Sequence, residues 1–426
     1  MSSRFTPAAL LRDLAVLGWS LIALALLTFA PVAGAAESDH VRGTVIVKYA
    51  DGASPSDRAS AARSAGIVDR LSVVRGVGAR VVRVAGGVDG AVARLNRSPA
   101  VEYAEPNYIY RALATPDDPR FHELWGLDNS GQTGGTPGAD IGATEGWDLF
   151  GLADFPGSGG VKVGIVDTGI DEDHPDLAGR PVDCGGVTSF GINLIVLILL
   201  ADPTISEGRC GDDNGHGTHV AGTIGAVADN GTGVAGVAFD SPLAVCKALN
   251  SSGSGTLEMV ANCIDWTHDR GADIISMSLG GPGSQTLAAA VERASENGSL
   301  LVAASGNSGN AQLSYPAGYP QVVSVAATDD DDQRASFSTF NASVEVSAPG
   351  VDIVSTWHDG GYRTASGTSM ATPHAAGVAA QIAGDNPGGG PEAWRATLQA
   401  AVDDLGPPGR DPEYGFGRVD LAQAAP

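Results

Sequence analysis

At 426 residues the chain is long enough for more than one domain and for a large buried core. Its 49 Asp and Glu outnumber 25 Lys and Arg, and the imbalance is uneven: residues 115–426 carry a net charge of −28, residues 37–114 a net +3. So acidic a surface argues against nucleic acid or anionic membranes as partners and favours solubility.

Residues 1–36 read as an export signal. Arg4 and Arg12 precede an apolar stretch from Leu14 to Ala30, and Ala33-Gly34-Ala35 supplies the small residues of a cleavage site. That stretch exceeds an ordinary signal core, which leaves an uncleaved anchor as the alternative; no other segment is long enough to span a bilayer. The expected location is extracellular. Four cysteines in an exported chain point to two disulfides. Of the three possible pairings, Cys184 with Cys210 and Cys246 with Cys263 is preferred, the second tying the strand Leu243–Cys246 to the helix of Val260, Cys263 and Ile264.

Residues 37–114 form a separate unit. Thr44–Tyr49 alternates as a strand, and Ser54–Ala65 reads as a helix with Ser54 as N-cap and Pro55 at the first helical position. Ala79–Val84 is a further strand, Val88–Leu95 a helix, and Val101–Pro106 a closing strand. With room for one more strand near Leu71–Val74, the order suggests a small ferredoxin-like sandwich.

The junction falls between Tyr110 and Asp117, so a second unit covers residues 115–426. Val161–Val166 is the apolar run of a buried parallel strand, which places Asp167 at its carboxyl end, where open α/β sheets put their chemistry. Within an insertion at 192–201, Leu194–Ala201 is apolar but too short to cross a membrane; a buried strand, a docking surface and a sequence anomaly stay open as readings. Gly215 and Gly217 bracket His216, after which Val220, Ala221 and Ile224 begin a helix. His219 completes an H-x-x-H spacing, yet no Glu or third ligand joins it, so zinc is not expected. His219 reads as support behind His216, and His374 as part of the later helix. The G-x-G-x-x-G letters of Gly231–Gly236 follow a helix rather than a strand, which rules against a dinucleotide site. Ser299–Val302 is a strand leading into Ala304, Ser305, Gly306 and Asn307. Ser369 precedes Ala371, Ala375, Ala376, Val378, Ala379 and Ile382, a small-residue helix suited to deep packing, whose amino end favours developing negative charge. Tyr414–Asp420 marks the end of the unit.

Three segments carry the chemistry: Val166-Asp167-Thr168-Gly169, Gly215-His216-Gly217-Thr218-His219 and Gly367-Thr368-Ser369-Met370-Ala371. They supply a carboxylate, an imidazole and a hydroxyl in the chain order Asp, His, Ser, unlike the chymotrypsin and α/β-hydrolase orders. In these residues, over roughly 115–426, the chain resembles the subtilisin-like serine proteases, the subtilase family. The resemblance implies an α/β, three-layer fold with a mostly parallel central sheet. It also implies a small α+β, ferredoxin-like inhibitory propeptide before it, since Val101–Asn107 resembles the end of subtilase propeptides. Ser369 would be the nucleophile, His216 its base, Asp167 the orienting acid and Asn307 the oxyanion donor.

On the same resemblance, substrate peptide would pair with Ser278, Leu279 and Gly280 on one side and Gly253, Ser254 and Gly255 on the other. Ala304, Ser305 and Gly306 would wall the pocket for the residue before the scissile bond (P1), with Ser314 near its floor and apolar P1 residues expected. A structural calcium would take Asp118, Asp176, the Asn230 side chain and the carbonyls of Ala228, Thr232 and Val234; no organic cofactor is implied. Polypeptide substrates and the chain's own propeptide would be the partners, and the mature enzyme a monomer free of the membrane. Two other readings stand beside this one. A narrow-specificity processing protease would use acids near the cleft, such as Asp212 and Asp213. A catalytically silent scaffold is opposed by the complete set Asp167, His216, Asn307 and Ser369.

Overall fold

The structure, a computed structural model, describes residues 40–108, 115–152, 160–187 and 205–425. The expected export signal at 1–36 and the apolar stretch at 192–201 lie outside the described residues. The chain divides into two compact units, Met1–Tyr110 and Arg111–Pro426.

The first unit runs β1 (His40–Tyr49), α1 (Pro55–Ala65), β2 (Ile67–Val74), β3 (Ala79–Val84), α2 (Val88–Asn96) and β4 (Val101–Tyr108). Its strands form one antiparallel sheet in the order β2-β3-β1-β4, the ferredoxin-like arrangement. Helix α1 starts as its residues dictate: the Ser54 side chain accepts from the Asp57 amide at 3.2 Å, and Pro55 needs no partner for a missing N–H. Val45, Val47, Ala65, Val82, Ala91 and Leu95 make one small core between helices and sheet. Strand β2 begins four residues before the stretch anticipated at Leu71–Val74. It is an edge strand exposed almost throughout, so its pairing with β3, not an apolar pattern, defines it.

The second unit contains α3 (Ala143–Leu149), β5 (Val163–Asp167), β6 (Val182–Val187), β7 (Ile205–Glu207), α4 (His216–Gly225), β8 (Leu243–Lys247), α5 (Leu257–Asp269), β9 (Ile274–Met277) and α6 (Gln285–Glu296). It continues through β10 (Leu300–Ala304), β11 (Val322–Thr328), β12 (Val344–Pro349), β13 (Ile353–Thr356), β14 (Tyr362–Ala365), α7 (Thr368–Asp385), α8 (Gly390–Ala400), β15 (Val402–Asp403), β16 (Arg418–Val419) and α9 (Leu421–Ala424). The large sheet has the order β15-β16-β12-β11-β10-β9-β5-β8-β6-β7. It is parallel from β16 to β6 and antiparallel only at its edges, β15 and β7.

Helices cover both faces, which is why the central strands are unbroken apolar runs. Along β5, Val163 and Ile165 enter the core under α4 and α7, while Val166 enters the one under α5 and α6. The same alternation holds on β10, with Leu300 and Val302 on one side and Leu301 and Ala303 on the other. Both preferred disulfides are formed, Cys184–Cys210 and Cys246–Cys263, the second tying β8 to α5. Among the described residues no helix is long and apolar enough to cross a membrane. Because β5, β8, β9 and β10 are parallel, Asp167, Lys247, Met277 and Ala304 end on one common edge. The site lies there.

Candidate active site

Asp167 closes β5 and has no exposed surface. A buried carboxylate needs donors. Its Oδ1 receives two, the Thr168 amide and His216 Nδ1–H, each at 2.7 Å. Nδ1 therefore carries the ring proton, and Nε2 is left basic. The imidazole keeps 28 % of its side chain exposed and lines the cleft. Burial disfavours its charged form, but Asp167, by charge and hydrogen bond, and Asp212 more than offset this, so its pKa is raised above 6.5.

His216 is also the first residue of α4, four positions before the apolar spacing suggested. Side chains outside the helix set that start. Asn214 Oδ1 accepts from the His216 amide at 3.1 Å, Thr168 Oγ1 from Gly217 at 2.8 Å, and Asp212 Oδ2 from Thr218 at 2.9 Å. The opening amides of the helix are thus filled. A Cβ on Gly217 would overlap the Gly169 carbonyl, and one on Gly215, at φ +104°, would overlap Trp357, so both glycines permit close approach. Asp213 pairs with Lys247 at 2.6 Å, and the same Nζ holds the Thr168 carbonyl at 2.5 Å.

Ser369 is the second residue of α7. The amide before it, on Thr368, donates to Asn307 Oδ1 at 2.8 Å, and Thr368 Oγ1 donates to the same oxygen at 2.9 Å. A backbone amide can only donate, so the atom facing it is Oδ1, and Nδ2, on an exposed residue, has no partner among the described residues. The Ser369 amide has no hydrogen-bond partner among the described residues. Ser369 Oγ donates to the Ser278 carbonyl at 3.3 Å, while Ser278 Oγ donates to the Ser369 carbonyl at 2.8 Å.

Two recesses adjoin these groups and share Leu279, Gly280, Gly281 and Pro282. One, of about 490 Å³, is lined by Ala304, Gly306, Asn307, Ser314, Thr368 and Ser369. The other, of about 560 Å³, is lined by His216, Gly253, Ser254, Gly255 and Ser278, with apolar Leu249, Leu257, Val260 and Leu287. Ser314 crowds the backbone at Gly280, where any Cβ would overlap its hydroxyl. Ser305 stands behind the wall rather than in it: it is buried, and its hydroxyl donates to the Thr339 carbonyl at 3.1 Å. Sequence reasoning passed over Leu257 and Val260, whose i, i+3 spacing looks like ordinary helix packing, and Thr368, whose position between Gly367 and Ser369 was the available signal.

Comparisons with known proteins place the chain in a family. The profile of the subtilase family matches residues 158–417, and that of the fervidolysin N-terminal prodomain matches residues 29–107. The chain belongs to the subtilase family. It is 38 % identical over 345 residues to a thermophilic serine proteinase of Bacillus sp. (strain AK1), covering 81 % of this chain and 78 % of that one. It is 41 % identical over 311 residues to thermitase of Thermoactinomyces vulgaris, covering 73 % and 99 %. Among solved structures, S41 psychrophilic protease aligns with a TM-score of 0.56 at 32 % identity, over 65 % of this chain and 97 % of that one. The protein is a serine endopeptidase with an N-terminal prodomain.

Away from the cleft, Asp118 and Asp176 are among the carboxylates this subtilase buries. The loop after α4 wraps them. Asp118 accepts from the amides of Asp229 and Asn230 at 2.8 and 3.1 Å; Asp176 accepts from the Val234 amide at 2.7 Å and Asn230 Nδ2 at 3.1 Å. Thr232 donates its amide to Asn230 Oδ1 at 2.7 Å, and Ala228 is buried at the start of the loop. Burial raises both carboxyl pKa values despite these donors, and for Asp118 the charge of Asp176 adds to the rise. Two buried carboxylates beside the Asn230 amide oxygen make an oxygen donor set of the kind that fits a hard cation.

The other two histidines of the motifs are structural. His219 Nε2 meets the carbonyls of Ile353 and Arg363 at 3.0 and 3.1 Å, so it carries the proton, and burial pushes the pKa down to about 4. His374 donates Nδ1–H to the Met370 carbonyl at 2.8 Å, and burial likewise lowers it to about 4.

Proposed function

We propose that the chain is the precursor of a secreted serine endopeptidase that cuts itself free of its propeptide. Residues 1–36 direct export, 37–114 fold as the propeptide and inhibit, and 115–426 become the enzyme. The observation that carries this reading is the 2.7 Å bond from His216 Nδ1 to a fully buried Asp167, which leaves Nε2 as the base in a recess also lined by Ser278, whose carbonyl holds Ser369 Oγ.

In the reaction Ser369 Oγ gives up its bond to the Ser278 carbonyl, passes its proton to His216 Nε2 and attacks the scissile carbonyl carbon. Asp167 stabilises the imidazolium that forms. The new oxyanion accepts from the two unengaged donors, the Ser369 amide and Asn307 Nδ2. His216 returns the proton to the departing amine, an acyl-enzyme on Ser369 remains, and water activated by His216 releases it. Substrate backbone pairs with Ser278–Gly280 and Gly253–Gly255. The recess floored by Ser314 takes an apolar P1 side chain.

Asp118, Asp176, the Asn230 side chain and the carbonyls of Ala228, Thr232 and Val234 would hold a structural calcium, which would neutralise the buried carboxylates. The narrow-specificity reading loses its support: Asp213 is paired with Lys247, and Asp212 is occupied by the amides of Asn214, Gly215 and Thr218. Ser369→Ala is expected to accumulate uncleaved precursor and lose all activity on casein. Appearance of mature-sized product from that variant, with no protease added, would refute self-processing.

A further inference from the structure

Pro373 lies inside α7. In an α-helix the carbonyl of residue 369 is the acceptor for the N–H of residue 373, and proline has none. The backbone of the nucleophile is thus cut loose from the helix ladder at its own carbonyl. Ser278 fills the gap. Its hydroxyl donates to the Ser369 carbonyl at 2.8 Å, and the residue is only 4 % exposed. In return, Ser369 Oγ rests on the Ser278 carbonyl at 3.3 Å. Ser278 directly follows β9, so this exchange fastens the first turn of α7 to the end of a central strand.

We propose that the Ser278 hydroxyl is a positioning group, standing in for the helix donor that Pro373 lacks and fixing where Ser369 presents Oγ. This rests on the reading of Ser369 as nucleophile, and extends it to the side chain of a residue whose backbone alone was assigned to holding substrate. Without the hydroxyl, the half-buried Ser369 carbonyl loses this donor, and the first turn of α7 relaxes to find another. A reacting group misplaced by about 1 Å costs about 10²-fold in rate. Substrate pairs with backbone at 278–280, which the substitution leaves in place, so the loss belongs in kcat.

The test is a double-mutant cycle on the full, self-processed protein: Ser278→Ala, Pro373→Ala and the pair, with active sites counted by burst titration and folding followed by thermal unfolding. Wild type is first labelled with a fluorophosphonate; absence of label on Ser369 would sink the nucleophile assignment itself, separately from this proposal. Given labelling, Ser278→Ala should lower kcat by about 10–100-fold with KM within about twofold and the acid limb of the pH profile unmoved. In the Pro373→Ala background, where residue 373 offers the carbonyl an N–H, the same substitution should cost several-fold less. An unchanged kcat, a loss carried by KM, or an equal loss in both backgrounds would overturn the proposal.

Discussion

Two helix starts carry the side chains proposed to react, His216 and Ser369, and they are built in opposite ways. At α4 the first amides are satisfied by Asn214, Thr168 and Asp212, so nothing is left there for a ligand. The acid among those caps also favours a positive charge on His216. At α7 the cap residue Gly367 has no side chain to offer, Asn307 takes the amide and hydroxyl of Thr368, and the Ser369 amide has no partner among the described residues. One start is closed around a proton carrier; the other is left open for an oxyanion. Filling amides buys rigidity where the ring must hold its tautomer, and withholding a partner creates binding where charge develops.

The contrast can be broken at its open end first. Asn307→Ala removes the free Nδ2 and lets Thr368 lose its acceptor; kcat on a peptide anilide should fall by about 10²–10³, the magnitude known for the corresponding amide of a subtilisin. KM should change little. A fall below tenfold would show that the open amide of Ser369 suffices alone.

A smaller effect is expected from the loop that follows α4. Chelation should lower the melting temperature by about 5 °C and speed autolysis while leaving initial rates at 25 °C intact. The pKa values of Asp118 and Asp176 are raised by folding, so without a cation their ionised forms weigh against the fold above those values, and less as pH falls through them. Chelation should therefore cost more at neutral than at acid pH. Equal melting curves with and without chelator would remove the cation from the account.

The smallest and most discriminating change is Asp212→Asn. It keeps hydrogen-bonding oxygen near the α4 amides but removes a charge that raises the His216 pKa. Since the base must be neutral, activity rises with pH through that pKa, and the acid limb of kcat/KM should move to lower pH. A limb that stays put would mean that Asp167 alone sets the proton affinity of the ring.

Much of this was legible in the sequence where the signal is local. Asp167, His216, Asn307 and Ser369 stand in motifs that name them, and Ser54-Pro55 announces a helix that begins as read. The misplaced elements are those fixed at a distance. Apolar spacing puts the start of α4 at Val220, but Thr168, 49 positions away, caps it at Gly217. Strand β2 was underestimated because an exposed edge carries no burial pattern. The resemblance puts Ser305 in the pocket wall with Ala304 and Gly306, but of the three only those two line it. Ser305 points instead to the Thr339 carbonyl.

The order of strands has a consequence for the cell that makes this enzyme. Strand β5, which ends in Asp167, sits between β8 and β9, so the strand meant to carry the acid waits for residues 243–277 before it has neighbours. The alcohol arrives later still, on a helix starting at Thr368. A ribosome holding only the earlier two-thirds of the chain therefore holds no blade. The danger is assembled last.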